Sequence, residues 1–70
     1  MRISARNQIR GRVARIKTGS LMAEVVVDVG GQDIVSEITL SSVERLGVKV
    51  GDEVWAIIKA TDVMIGVGKP

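Results

Sequence analysis

Residues 21–38 read LMAEVVVDVGGQDIVSEI, and this stretch decides the fold class of the chain. Alternation with a period of two places successive side chains on opposite faces of a strand. The two adjacent glycines tolerate the positive φ of tight hairpin turns, so we expect a third strand over residues 32–38. The apolar face of the first half consists of Leu21, Ala23, Val25, Val27 and Val29, and the turn is Gly30-Gly31.

The run over residues 8–17 predicts a long strand that precedes this hairpin. Ile9 and Val13 share one face with Gly11, after which Ala14 and Ile16 carry the apolar pattern onto the other face. Such a change of phase, with a glycine inside the strand, is typical of a β-bulge or a tight bend. We therefore expect the first strand to be bent.

The pattern changes to a helical one after the third strand. Leu40, Val43 and Leu46 lie at helical spacing, which predicts a short helix of about two turns. Thr39 or Ser41 can cap its start, and Gly47 can close its end.

Two further strands are predicted over residues 53–59 and residues 62–67. The fourth is apolar on both faces, with Trp55 and Ile57 opposite Val54, Ala56 and Ile58, which indicates that one face meets another subunit. The predicted fold class is all-β, a five-stranded OB-like Greek-key barrel with one short helix. An open two-layer β-sandwich is the alternative.

The size and composition of the chain favour a single domain over residues 1–70 that associates with copies of itself. A chain of 70 residues buries only about 60% of its extended surface. With no Cys and no His, disulfides and the commonest metal ligands are excluded, yet 46% of the residues are hydrophobic. No apolar stretch approaches the roughly 18 residues that span a bilayer, and the start lacks the apolar core of a secretion signal. We expect a cytoplasmic protein with no membrane partner.

Three polar segments supply mainly hydrogen-bond donors. They are Ser4-Ala5-Arg6-Asn7, Thr39 with Ser41 and Ser42, and Lys59-Ala60-Thr61. Each also has a purely structural explanation, as a solvated tail, a helix cap and an edge charge. The positive charge is concentrated at the N-terminus, because six of the first seventeen residues are Arg or Lys and none is acidic.

Taken together, these segments favour the binding of an oxyanion. A helix N-terminus presents free amides, and nearby hydroxyls and cations add further donors. Four to six hydrogen bonds to a charged group, at roughly 1.5–3 kcal/mol each, reach micromolar affinity. A pocket without a carboxylate disfavours singly protonated phosphate, whose P–O–H needs an acceptor, so we expect an unprotonated dianion.

Four segments resemble the Mop domain, a family whose small stand-alone members are called molbindins. They are SARNQ at residues 4–8, ITLSSV at 38–43, LGVKVGD at 46–52 and IKA at 58–60. The resemblance implies an OB-like barrel that exchanges strands and assembles as a trimer of dimers. It also implies that molybdate or tungstate, and not a pterin cofactor, lies between the subunits of this homohexamer.

The resemblance also assigns the oxyanion site residue by residue. Arg6 is expected to act through its side chain or its backbone, and Thr61 adds a hydroxyl by its place in the third segment. Met22 stands where many relatives have Asn, which removes a polar group from any second kind of anion site there. The assigned residues are Ser4, Arg6, Asn7, Thr39, Ser42 and Lys59, with Ala5 and Ala60 through their backbone amides.

The predicted function is storage of molybdate or tungstate without chemical change. No enzyme is expected, because Asp52-Glu53 is the single adjacent carboxylate pair and neighbours on a strand point to opposite faces. No cofactor and no bare metal ion are expected either. The alternative is a single-stranded nucleic-acid-binding barrel, which the presence of only one aromatic residue disfavours, because such barrels stack bases on aromatic side chains.

Overall fold

The chain forms one curled antiparallel sheet with a short helix, in a computed structural model that describes residues 1–69. The strand order is β3-β2-β1-β4, so β4 returns to lie beside β1 in the predicted Greek-key arrangement. The elements are β1 (Asn7–Thr18), β2 (Met22–Asp28), β3 (Asp33–Thr39), α1 (Leu40–Leu46), β4 (Glu53–Ile58) and a 3-10 turn (Ala60–Asp62).

Strand β1 is long and bent because its first half pairs with β4 and its second half pairs with β2. The register with β2 shifts between Val13 and Arg15, which confirms the predicted bulge. A Cβ at Gly11 would lie 2.5 Å from the carbonyl oxygen of Asp28, so only glycine permits this close approach of β2. The bulge and the close approach curl the sheet into a half-barrel.

The predicted helix and both of its ends are confirmed. Thr39 is the N-cap, and its Oγ1 accepts a hydrogen bond of 3.1 Å from the backbone N–H of Ser42. Gly47 closes the helix in the left-handed conformation, with φ at 67°. The side chain of Val43 is buried and anchors the helix against the sheet.

The hydrophobic core of one chain is small and open on one side. Its buried members are Val13, Ala23, Val25, Val27 and Val43. An apolar groove of about 310 Å³ remains along the inner face of the half-barrel, between β3 and β4. Its lining includes Val25, Val27, Ile34, Ile38, Val54 and Ile58.

The fifth strand predicted over residues 62–67 does not form within the chain. Asp62, where the predicted strand begins, belongs to the 3-10 turn Ala60–Asp62. Residues 63–67 belong to no strand. The side chains of Met64, Ile65 and Val67 are 92%, 86% and 99% exposed. A segment becomes a strand only where a neighbouring segment shares its ladder of hydrogen bonds, and this one has no such neighbour within residues 1–69. The described residues therefore form a four-stranded half-barrel rather than a closed five-stranded barrel.

No helix within residues 1–69 combines the length and the hydropathy needed to cross a bilayer.

Candidate oxyanion-binding site

The first and third predicted segments lie side by side at one end of the sheet. Asn7, the first residue of β1, pairs with Ile58, the last residue of β4. The side-chain amide of Asn7 also donates a 3.3 Å hydrogen bond to the carbonyl oxygen of Ile58. Residues 4–7 and residues 59–61 thus become neighbours, and we call them the strand-end half-site.

The strand-end half-site carries the positive charge of the candidate site. The guanidinium of Arg6 and the ammonium of Lys59 are exposed, as are the hydroxyls of Ser4 and Thr61. All four groups donate hydrogen bonds, and the two cations also attract an anion. This composition suits a ligand whose outer atoms are all acceptors.

Backbone amides add donors to the same half-site. The carbonyl groups of Lys59 and Ala60 accept hydrogen bonds within the 3-10 turn, from Asp62 and Val63. The N–H groups of Ala60 and Thr61 donate to no partner within residues 1–69, as expected for the first residues of a helical turn. The expected contribution of Ala60 through its backbone is therefore available in this geometry.

The second predicted segment is a cluster of hydroxyls at the start of α1. We call residues 39–42 the helix half-site. Thr39 Oγ1 donates to Ser42 Oγ at 2.7 Å and lies 3.2 Å from Ser41 Oγ. Since Thr39 already uses its proton, the hydroxyl proton of Ser42 remains available to a ligand. The hydrogen bonds between Thr39 and Ser42 at the helix start thus also orient the Ser42 hydroxyl as a donor.

The two half-sites lie at opposite ends of β1 and do not meet within one chain. Thr39 pairs with Met22 at the start of β2, next to the end of β1, where Thr18 pairs with Ala23. Asn7 marks the other end of this 12-residue strand, about 36 Å away along its length. The ladder register therefore places the two half-sites at opposite ends of β1 and not side by side.

Three nearby groups were not assigned to the site from the sequence. The side-chain amide of Gln8 donates a 2.6 Å hydrogen bond to the carbonyl oxygen of Ala5. Ser41 belongs to the hydroxyl cluster of the helix half-site. Asp62 places a carboxylate in the same turn as Lys59, where an anion would be repelled. Gln8 and Ser41 lie inside the quoted segments SARNQ and ITLSSV, and Asp62 directly follows the third polar segment, so their positions in or beside these segments were the signal that the sequence offered.

Within residues 1–69, no group of three or more acidic side chains lies close enough together to hold a metal ion.

The family described as TOBE domain matches residues 3–65 of the chain. The chain is 58% identical over 66 residues to molybdenum-pterin-binding protein 1 of Clostridium pasteurianum, which covers 93% of this chain and 97% of that protein.

Two solved structures share the fold along almost the whole chain. A molybdate-binding protein from Sporomusa ovata superposes with a TM-score of 0.91 at 39% identity, over 96% of this chain and 100% of that one. The cytoplasmic molybdate-binding protein ModG, solved with molybdate bound, superposes with a TM-score of 0.90 at 42% identity. That match covers 97% of this chain and 49% of the ModG chain.

Proposed function

Because the chain belongs to the TOBE-domain family, and within it to the Mop-domain molbindins, we propose that it binds molybdate or tungstate. The oxyanion is held and released unchanged, so the protein stores it and buffers its free concentration. This role needs donors and positive charge but no nucleophile or general base. Residues 1–70 act as a single Mop domain in this proposal.

The observation that carries this proposal is the pairing of Asn7 with Ile58, which joins two donor-rich segments into the strand-end half-site. In our proposal Ser4, Arg6, Lys59 and Thr61 supply hydroxyl and cationic donors from these two neighbouring segments, and the amide of Ala60 adds to them. A tetrahedral dianion accepts hydrogen bonds on all four oxygens, at roughly 1.5–3 kcal/mol for each charged bond. Four to six such bonds correspond to micromolar affinity, about 8 kcal/mol.

In our proposal the complete site forms between two copies of the chain. The strand-end half-site of one copy faces the helix half-site of another, since the length of β1 separates the two within a copy. Thr39 and Ser42 then add neutral hydroxyl donors to the cations of the neighbouring copy. The site is therefore expected to exist only in the assembled protein.

We further propose that residues 63–67 complete the barrel of a neighbouring copy. Val63, Ile65 and Val67 alternate along this segment, so one face of it is apolar in an extended conformation. The groove of about 310 Å³ between β3 and β4 is lined mostly by aliphatic side chains, with Trp55 among them, and would accept such a face. Exchange of this strand yields the five-stranded OB-like barrel, and three exchanged dimers yield the proposed homohexamer.

The donor set also predicts which oxyanions are accepted. None of the proposed ligands is a carboxylate, so a protonated oxygen such as that of hydrogen phosphate finds only the weaker hydroxyl and amide acceptors. Molybdate and tungstate carry no proton at neutral pH and satisfy the site fully. We place the protein in the cytoplasm, on the model of the relative ModG.

Isothermal titration calorimetry tests the proposal directly. The purified protein at micromolar concentration is titrated with sodium molybdate, sodium tungstate and sodium phosphate in separate runs. We expect saturable heat with the first two and none with phosphate. No heat with either molybdate or tungstate would contradict the proposed function.

A gel-shift assay with mixed single-stranded oligonucleotides at low salt tests the alternative. Trp55 is the only aromatic side chain and is about half exposed. One stacking platform supports only weak binding, since each stacked base contributes roughly 1–3 kcal/mol. We expect no retardation, whereas tight retardation would favour the nucleic-acid function.

A further inference from the structure

Gln8 makes the only hydrogen bond that the described part of the chain gives to residues 1–6. Its side-chain Nε2 donates to the carbonyl oxygen of Ala5 at 2.6 Å. The ladder with β4 begins only at Asn7, so the backbone of residues 4–6 has no strand to hold it. The conformation of this part of the strand-end half-site depends on one side chain.

The geometry of this bond requires a bent chain. Three extended residues span about 10 Å, which is beyond the reach of a glutamine side chain. The backbone bends at Arg6, between Ala5 and Gln8, and this bend brings the Ala5 carbonyl back towards Gln8. The hydrogen bond therefore closes a small loop at the start of β1.

This loop determines the direction of the next backbone amide. In a trans peptide the C=O of Ala5 and the N–H of Arg6 point in opposite directions. Holding the carbonyl towards Gln8 turns the Arg6 N–H to the other side, where it has no partner within residues 1–69. A carbonyl oxygen would repel an oxyanion, and an N–H would attract it.

We propose that Gln8 is a positioning residue, which holds the Ala5 carbonyl away from the bound oxyanion and presents the Arg6 backbone N–H to it. This inference rests on the proposed function and sharpens it, because it assigns Arg6 a backbone contact. Gln8 itself does not touch the ligand. Without its amide, residues 4–6 become ordered only when the anion binds, which weakens the affinity.

The decisive variant is Gln8→Met, which keeps the length of the side chain and removes its donor. We expect the affinity for molybdate to fall about threefold to tenfold, as the loss of one hydrogen bond predicts. The assembly mass and the thermal midpoint should remain those of the wild type. Gln32→Met is the matched control, because Gln32 is an exposed glutamine in the β2–β3 turn, and its affinity should not change.

A second measurement separates positioning from general stability. Because the Arg6 N–H has no partner in the anion-free protein, its hydrogen exchange should be fast in both the wild type and Gln8→Met, and exchange within β1 should be the same in both. Saturating molybdate should slow exchange at the Arg6 amide of the wild type, and slow it less in Gln8→Met.

Three outcomes would overturn the inference. Wild-type affinity in Gln8→Met would show that the Gln8 amide is not needed. A fall in affinity that follows a lower thermal midpoint or a lost assembly would show a purely structural role. Absence of heat with molybdate and tungstate in the wild type itself would reject the proposed function, and the role of Gln8 with it.

Discussion

The two half-sites differ in rigidity and in charge. The helix half-site presents short, neutral hydroxyls that are already bonded to one another and to the first turn of α1. The strand-end half-site presents Arg6 and Lys59 on long, exposed side chains, and one glutamine bond holds its N-terminal part. The helix half-site thus offers hydroxyls in fixed positions at one end of β1, and the strand-end half-site offers positive charge at the other end. Our proposal joins the two between copies, and the predictions below test that division.

Separating the copies should have the largest effect on oxyanion binding. In the proposed assembly Ile65 of the exchanged segment lies in the apolar groove of a neighbour, where an unpaired carboxylate is strongly unfavourable. We expect Ile65→Asp to lower the molybdate affinity more than a hundredfold, about 2.7 kcal/mol. Light scattering should show the mass falling towards that of the 7.5 kDa chain.

Met64→Asp is the control for this variant. It introduces the same charge one residue away, where an extended segment points its side chain to the opposite face. We expect it to assemble and to bind molybdate. An Ile65→Asp protein that remains assembled with full affinity would refute the exchange of this strand.

Removing the charge of the strand-end half-site should have the next largest effect. We expect Lys59→Ala to weaken molybdate binding tenfold or more, about 1.4 kcal/mol, with the fold intact. Lys49→Ala removes an equal charge from the exposed turn before β4 and should leave the affinity nearly unchanged. Calorimetric titration of both variants measures the difference, and equal affinities would remove Lys59 from the site.

Mixing variants sharpens the comparison further. Lys59→Ala impairs one half-site and Ser42→Ala impairs the other. Refolding the two variants together should regenerate about a quarter of the sites with wild-type affinity, since each site takes its halves from different copies at random. Refolding that regenerates no high-affinity sites would mean that each site is built within one copy.

Changes at the helix half-site should affect stability as well as binding. Thr39 caps α1, and replacing an N-cap threonine by alanine lowers the free energy of unfolding by about 1 kcal/mol. We expect Thr39→Ala to lower both this free energy and the molybdate affinity, whereas Thr39→Ser preserves both. Denaturant unfolding at one fixed protein concentration measures the first quantity. Unchanged stability in Thr39→Ala would mean that the hydroxyl does not organise the helix start.

The smallest expected effect is a gain. Asp62 carries a negative charge in the turn that follows Lys59, so in the proposed site it would repel the oxyanion. Asp62→Asn should therefore increase molybdate affinity about twofold to threefold, because exposed charges interact weakly in water. The increase should shrink at high salt, which screens this repulsion. Equal affinities of Asp62→Asn and wild type at low salt would place the carboxylate away from the ligand.

The sequence predicted correctly those features that depend on interactions between residues close together in the chain. The four strands, the bulge in β1 and the capped helix α1 were predicted, because alternation, helical spacing and glycine positions act over a few residues. The segment containing Val63 and Ile65 has an equally clear alternation but forms no strand. A strand also needs a neighbour, and pattern alone does not provide one.

The candidate site shows the same limit. The donors of Ser4, Thr39 and Lys59 were identified from local motifs. For Thr39 the sequence suggested two roles, capping the helix and binding the oxyanion, and the structure shows the first. Which segments meet was decided by the register of β1, which joins residues 4–7 to 59–61 and separates both from residues 39–42. The hydrogen bond from Gln8 to Ala5 could not be predicted from the sequence either, because it depends on the backbone bend at Arg6.

The order of residues by itself determined the mainly β class of the fold and the ends of α1, and it provided the donor-rich segments on which the proposed oxyanion binding rests. These depend on side-chain chemistry and on contacts close in the chain. Only the tertiary structure decided that the donors divide into two groups at opposite ends of β1, and that the groove and the last apolar segment remain unpaired within one copy. The physical reason is that strand pairing joins residues far apart in the chain, and its register is set by the whole sheet.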